Sequence, residues 1–497
     1  MVNLYLPEQK SLYPPLGIMY IASALKSRGI QASVFHAEAN ERNMKNIIEE
    51  SRGVLFVGIS ALTGRTLRHN LQLSQLLKKS GIPVLWGGIH ATFLPENTLS
   101  QECIDYIIIG EGEESICEFA NKLIVKDSLT GIKGLGYKNN GKIVLNGAAA
   151  LLDDLDKYSL DWNTIKVERY LYDVAGAGKF LPYLTSRGCP HRCGFCYNIN
   201  FNKRTWRKRE QSKVIEEVLF LKQRYQFDGI DFIDDNFFTN QERAFNIARG
   251  IKAPWIAEVR ADYVTENFIK RCKDAGCYKL IIGCESGSDG LLKLINKDVT
   301  VEQIKNTVQL CYAHGIKVYC SFMIMLPGET NRDRDATFDF INDLMDTYPG
   351  IEIDGPKVYT PYPGSPLFEI CKQNGWREPK STEDWSCYHR SMDPSLLAYV
   401  SSRDIKRNMV LAGSVAVKHG LLTKIAVIKK GGRFFGAGLL IPFLWFYKCM
   451  ISARLRYKFV YLPVEIKAYI FGIGAMNKFF FKKSFYNEDS IVKKENY

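Results

Sequence analysis

Over the first 137 residues short apolar runs alternate with amphipathic stretches. Val54–Ile59, Pro83–Trp86 and Tyr106–Ile109 are apolar nearly throughout, and the segments between them keep helical periodicity. Runs of that length predict the buried parallel strands of a doubly wound, Rossmann-like α/β sheet. Ligands of such sheets gather beyond the carboxyl ends of the strands. Here those ends carry Ser60-Ala-Leu-Thr-Gly64, Gly87-Gly-Ile-His-Ala-Thr92 and Gly110-Glu-Gly-Glu113. Small residues let backbone N–H groups approach a phosphate or an amide-rich ligand, and they are also how these folds turn corners.

Residues 146–181 have little periodicity and read as a linker. A second series of apolar runs follows: Pro182–Thr185, Gly229–Ile233, Trp255–Val259, Lys279–Ile282, Lys317–Ile324 and Ile351–Asp354. Six βα units predict a partial barrel over residues 182–375, with its chemistry at the strand carboxyl ends. The loop Tyr359–Leu367, rich in proline, is expected to be rigid and to cap the barrel mouth.

Thirteen cysteines, an odd number scattered through apolar runs, suit reduced thiols better than a disulfide framework. The N-terminus lacks a basic segment followed by an apolar core, so a cytoplasmic location is expected. Charge is uneven: residues 398–497 carry 18 Lys and Arg against 5 Asp and Glu, which accounts for the whole formal excess of +13. In the mainly helical region 376–497, the uncharged run Phe434–Tyr447 is shorter than the ~20 residues a spanning helix needs and contains Pro442. Lys429, Lys430, Arg433, Lys448, Arg454, Arg456 and Lys458 flank it. That pattern predicts peripheral attachment to an anionic membrane and a lipid-like substrate, against the competing reading of a helix that closes the barrel. The run is too continuous for the stacking platform that nucleic acid would need.

The chemistry concentrates in Thr185-Ser-Arg-Gly-Cys-Pro-His-Arg-Cys-Gly-Phe-Cys-Tyr197. Cys189, Cys193 and Cys196 can grip three corners of a four-iron four-sulfur cube, which usually takes four thiolates, so one iron is left for another ligand. A zinc site with His191 as fourth ligand is the alternative, although zinc knots usually pair two separated ligand pairs and no second cysteine pair lies nearby. The spacing resembles the signature of radical S-adenosylmethionine (SAM) enzymes, in which SAM chelates the open iron. Pro14-Pro-Leu-Gly17 and the three N-terminal loops resemble, in order and spacing, the cobalamin-binding domain that precedes the radical SAM barrel in one large subfamily. That resemblance covers residues 1–145 and makes Ser60, Thr63, Gly87 and Gly88 candidate cobalamin contacts. No aspartate precedes Asp105, so the mutase-type Asp-x-His-x-x-Gly motif is absent and no protein histidine is expected below the cobalt.

The same resemblance implies the SAM contacts. Asp234, Asp235 and Asn236 follow the second barrel strand, where the family holds the SAM ammonium; Asp and Asn there are also favoured helix caps. Arg260 is the candidate for the SAM carboxylate, with an ion pair to a neighbour as the competing reading. Glu285, in Gly283-Cys-Glu-Ser-Gly287, is expected to accept from the ribose hydroxyls. Phe195 and the segment Phe322–Glu329 are the expected adenine contacts.

What the resemblance implies is a cobalamin-dependent methyltransferase needing an external electron donor and a small-molecule or lipid-like substrate. One SAM gives the methyl group, and a second gives the radical that strips hydrogen from an unactivated carbon. Radical cyclisation, oxidation or rearrangement with the same cofactors is the alternative. A non-catalytic cobalamin- or metal-binding sensor is a reading of another class, and it leaves Glu285 and the open-iron loop without a purpose. A methylthiotransferase is disfavoured, because its extra cluster needs three cysteines in the N-terminal domain and only Cys103 and Cys117 are there.

Overall fold

The computed structural model describes residues 1–9, 12–388, 397, 399–429 and 441–460. They fall into two compact units: Met1–Glu258 with Asp274–Tyr278 and Thr360–Met392, and Val259–Lys273 with Lys279–Tyr359 and the described part of Asp393–Tyr497.

In the first unit, β1 (Val2–Tyr5), β2 (Phe35–Glu38), β3 (Val57–Ser60), β4 (Val84–Gly87), β5 (Tyr106–Ile108), β6 (Leu135–Asn139) and β7 (Lys142–Leu145) form one sheet. Its order is β2-β1-β3-β4-β5-β6-β7. The first five strands are parallel, as the apolar runs predict, and the β6–β7 hairpin adds an antiparallel edge. Val57, Ile59, Val84, Leu85, Trp86 and Ile107 are buried, because helices cover both faces of a doubly wound sheet. Trp86 stays inside because its Nε1 donates to Ser74 Oγ at 2.9 Å.

The stretch expected as a linker contains β8 (Tyr172–Val174) and the start of β9 (Gly178–Tyr183), which pair antiparallel. Then come β10 (Ser186–Arg187), β11 (Arg207–Lys208), β12 (Gly229–Phe232) and β13 (Trp255–Val259); β12 lies parallel between β9 and β13. β14 (Cys277–Glu285), β15 (Lys317–Ile324) and β16 (Glu352–Val358) follow, with β15 parallel to both neighbours. β9, β12 and β13 are thus parallel neighbours in the first unit, and β14, β15 and β16 in the second, the strand set that the six apolar runs predict.

In the second unit the helices Ser402–Lys429 and Ile441–Tyr457 meet the acidic helix Asn331–Thr347. Lys418 is fully buried against Asp346 at 2.8 Å and Asn342 Oδ1 at 2.7 Å. Lys448 reaches Asp346 at 2.5 Å, Arg407 reaches Asp335 at 2.6 Å, and Lys458 pairs with Asp339. These basic residues are therefore spent on carboxylates of their own unit, while Trp445 and Phe446 are exposed. Lys430, Arg433 and the run from Phe434 to Leu440 lie outside the described residues. No helix among the described residues is long and apolar enough to cross a membrane.

Candidate active site

The cysteine loop is closed at its base by a two-residue ladder, Ser186 opposite Lys208 and Arg187 opposite Arg207. Gly188 has φ +87° and a Cβ there would fall 2.1 Å from Thr205 O, so only glycine lets the strands close. Within the loop Cys196 N donates to Cys193 O at 3.0 Å, and Leu367 N donates to Gly194 O at 2.8 Å. The loop after residue 360 thus touches the cysteine loop. Cys189, Cys193 and Cys196 are half-buried thiols outside any disulfide, and Phe195 is half-buried beside them. Burial pushes the Cys196 thiol up to about 12, and it raises Cys189 against the pull of the His191 N–H and Asn236. Such thiols become thiolates when a metal displaces the proton. Three soft donors on one loop fit a cube held at three corners. Among the described residues no three His, Cys, Asp or Glu side chains already converge on one point, the three cysteines included, so the choice of a cube over zinc with His191 rests on the cysteine spacing.

The three polar residues after β12 divide their work. Asp234 is 2% exposed and accepts from Thr185 N at 3.1 Å, Thr185 Oγ1 at 2.7 Å and Ser186 Oγ. It ties the end of β9 to the end of β12, and burial raises its carboxyl despite those bonds. Asp235 is exposed and accepts from Gly188 N at 2.8 Å, while Asn236 Nδ2 lies 3.7 Å from Cys189 Sγ. Asp235 and Asn236 therefore stand beside the cysteine loop and Asp234 belongs to the framework. Asp234→Ala strands several buried donors at roughly 1–3 kcal/mol each. A loss of about 3 kcal/mol is expected in denaturant titration of the metal-free chain, and an unchanged midpoint would refute the framework role.

In the second unit Arg260 lays its fork on Asp262 at 3.0 and 3.2 Å and donates to Lys297 O at 2.7 Å. The neighbouring ion pair is thus formed. Glu285 ends β14 with φ +63°, past a bulge between Gly283 and Glu285, and its carboxylate meets Lys297 Nζ at 2.9 Å. Both side chains are about nine-tenths buried. Met325, just past β15, also has a left-handed φ, +62°. Two non-glycine residues in that region at strand carboxyl ends mark strain of the kind held at functional sites.

Lys297, which sequence reasoning left aside, and Glu329, the last residue of the expected adenine segment, support these turns. Lys297 joins Arg260 to Glu285. The carboxylate of Glu329 accepts from Met325 N and from Leu326 N at 3.1 Å, with Arg334 at 3.5 Å, so it fixes the strained turn. Burial pushes Glu329 up to about 7 from an ordinary 4.5. A carboxyl raised on folding favours the folded chain below its unfolded value, and that contribution is lost as pH rises through the folded value. Stability of the wild type is expected to fall between pH 4.5 and 7 more than that of Glu329→Gln. Parallel pH profiles of thermal midpoint would contradict this.

The cobalamin candidates sit in the first unit where β3 and β4 end. Ala61 N donates to Gly87 O at 2.8 Å and His90 N to Ala61 O at 3.1 Å, stitching the two loops together. Ser60 closes β3; Gly87 closes β4, and Gly88, at φ +92°, has no room for a Cβ because Ala61 O would be 2.8 Å away. Thr63 Oγ1 lies 3.1 Å from His90 Nδ1, while His90 Nε2 is buried without a partner. Burial holds His90 down at about 4, so it is neutral. His36 has its Nδ1 on Tyr170 Oη at 2.9 Å. A tight backbone cradle with a hydroxyl at its rim fits the side-chain amides of a corrin. Because the mutase-type motif is absent, the reduced cobalt spectrum is expected to show no nitrogen hyperfine coupling from imidazole; its appearance would overturn that expectation, with His90 Nε2 as the first nitrogen to test.

Comparison with known proteins agrees with both halves. Residues 183–341 match the model of the radical SAM superfamily and residues 4–120 that of the B12 binding domain. The chain is 30% identical over 439 residues to an uncharacterized methyltransferase of Pyrococcus horikoshii, covering 83% of this chain and 92% of that one. It is 26% identical over 374 residues to the anaerobic magnesium-protoporphyrin IX monomethyl ester cyclase of Rubrivivax gelatinosus, covering 72% and 66%. The fold matches the cobalamin-dependent SAM radical enzyme OxsB, solved with aqua-cobalamin and SAM, at a TM-score of 0.67 and 17% identity over 92% of this chain and 71% of that one. The chain is a radical SAM enzyme whose cofactors are a four-iron four-sulfur cluster, SAM and cobalamin, and it belongs to the cobalamin-dependent, methyltransferase-like family of those enzymes.

Proposed function

We propose that the enzyme transfers a methyl group to an unactivated carbon of a small-molecule substrate. The observation that carries this is the company of two parts in one chain: a three-thiol loop, and a Gly-rich backbone cradle at the ends of β3 and β4 within the stretch that matches the B12 binding domain. When bound, the cluster supplies the electron that breaks a carbon–sulfur bond of SAM, and the corrin supplies a carrier for its methyl group.

The chain's own residues bind and orient. Cys189, Cys193 and Cys196 hold the cluster at three corners, and Asn236 stands at the Cys189 sulfur. Asp235, exposed beside the loop, is the acceptor for the SAM ammonium. Glu285, held in place by Lys297, accepts from the ribose hydroxyls. Glu329 holds the Met325 turn, within the segment whose backbone is the second unit's candidate for the adenine. The Arg260 fork, already closed on Asp262, serves this arrangement by fixing Lys297.

Cyclisation with the same cofactors is the competing chemistry, since a cyclase is among the relatives. Incubation of the reconstituted holoenzyme with a cell extract and SAM deuterated in its methyl group separates the two. A new product carrying the intact labelled methyl is expected; a product that gains no label and loses only hydrogen would replace methyl transfer by oxidation or cyclisation.

A further inference from the structure

The Gly110–Glu113 loop has the make-up of a ligand cradle, yet its two carboxylates face arginines of the same unit. Arg187 lies between them, 2.9 Å from Glu111 Oε1 and 2.8 Å from Glu113 Oε1, with its guanidinium 4.5 Å from the centre of the Tyr20 ring. Arg207 meets Glu111 Oε2 at 2.5 Å and Leu152 O at 2.8 Å, and Leu152 N donates to Glu111 at 2.7 Å. All four charged side chains are at least 85% buried.

The loop backbone is shaped for this. Gly110 takes φ +84°, and at Gly112 a Cβ would press on Ile21 Cδ1 at 2.9 Å. A glycine on each side of Glu111 thus lets both carboxylates turn the same way. Burial works to raise the Glu111 carboxyl, but the bonds from Arg207 and Arg187 leave it below its ordinary value, so Glu111 is ionised. Four buried charges are a costly way to join two segments that apolar packing could join equally well. What they add is a fixed position.

That position is the base of the cysteine loop. Arg187 and Arg207 are the opposed residues of the two-residue ladder, 76 and 96 residues from Glu111 in sequence. Arg187 is followed by Gly188 and Cys189. On the other side Arg207 donates to Asn202 Oδ1 at 2.5 Å, Asn202 donates to the Asn198 side chain, and Asn198 N–H donates to the Cys196 sulfur. One carboxylate pair therefore reaches both the first and the last cysteine.

We propose that Glu111 and Glu113 are positioning residues for the iron–sulfur cluster, setting the cysteine loop from the cobalamin-binding domain through Arg187 and Arg207. This rests on the cluster and not on methyl transfer. The test uses the full chain and two readouts: alkylation rates of each cysteine in the metal-free protein, followed by peptide mass, and iron loss to a chelator after anaerobic reconstitution. For Glu111→Gln, alkylation of Cys189, Cys193 and Cys196 and the rate of iron loss are both expected to rise by about 10-fold to 100-fold, the usual scale for removing a residue that supports a metal ligand. Exposed Cys387 and buried Cys117 are expected to react at their wild-type rates. Glu113→Gln, which leaves the Glu111–Arg207 pair intact, is expected to give a smaller change of the same kind and serves if the first variant does not fold. Wild-type rates at the three cysteines in a folded variant would overturn the proposal, and so would an equal acceleration at Cys117, which would mean general loosening. Failure of the wild type to form any cluster would count against the cluster assignment, while the metal-free alkylation arm would still read the network.

Discussion

Alanine at Cys193 is expected to leave a folded chain that neither holds a cluster nor cleaves SAM. The thiol is half-buried on a loop closed by the Arg187–Arg207 ladder and by the backbone bonds Leu367 N to Gly194 O and Cys196 N to Cys193 O, all of which an alanine keeps. Truncating a side chain so placed costs about 1 kcal/mol or less of stability. It removes one of three protein ligands to the cube, and two corners cannot hold the open iron in place for SAM. Iron and sulfide per chain after anaerobic reconstitution, together with 5′-deoxyadenosine under a low-potential reductant, measure the effect. Cys387→Ala, an exposed cysteine outside the loop, is the matched control and is expected to behave as wild type. Wild-type iron in Cys193→Ala would show that the ligand set has been misassigned.

Glu285→Ala is expected to act twice. Loss of a charge-assisted bond to the SAM ribose costs about 1.5–3 kcal/mol, which is roughly 10-fold to 100-fold in SAM affinity. Separately, the Lys297 ammonium is left buried without its carboxylate, and breaking such a pair costs about 3–5 kcal/mol of stability. The double variant Glu285→Ala, Lys297→Met separates the two effects: it is expected to regain stability and to stay weak for SAM. Recovery of both would make the pair a structural element with no part in SAM binding. Calorimetric SAM titration and denaturant midpoints of the two variants decide it.

What could be read from the sequence follows from how local each requirement is. The cysteine loop was legible because coordination chemistry demands one residue type at fixed short spacing. The parallel strands were legible because burial on both faces leaves continuous apolar runs such as Val84-Leu-Trp86. The β6–β7 hairpin escaped the apolar pattern because three of the four β7 residues are exposed, although Asn139-Asn-Gly141 is a turn signal that could have found it. The start of β9 was placed at Pro182, which lacks an N–H, whereas the strand begins at Gly178 and pairs Pro182 with Asp231. Which of Asp234, Asp235 and Asn236 points inward depends on Thr185 and Ser186, about 50 residues earlier, and no local pattern carries it. The same holds for Lys297 against Glu285, and for Glu111 against arginines 76 and 96 residues away.

The central claim is that one chain spends SAM in two ways, and the direct measurement is the pair of SAM-derived products. Anaerobically reconstituted enzyme loaded with cobalamin is incubated with SAM and a low-potential reductant, and both S-adenosylhomocysteine and 5′-deoxyadenosine are quantified. The account predicts that both form, that only 5′-deoxyadenosine disappears in Cys193→Ala, and that S-adenosylhomocysteine disappears when cobalamin is left out. Formation of 5′-deoxyadenosine with no S-adenosylhomocysteine at any cobalamin loading would contradict it and leave a radical enzyme that does not move methyl groups.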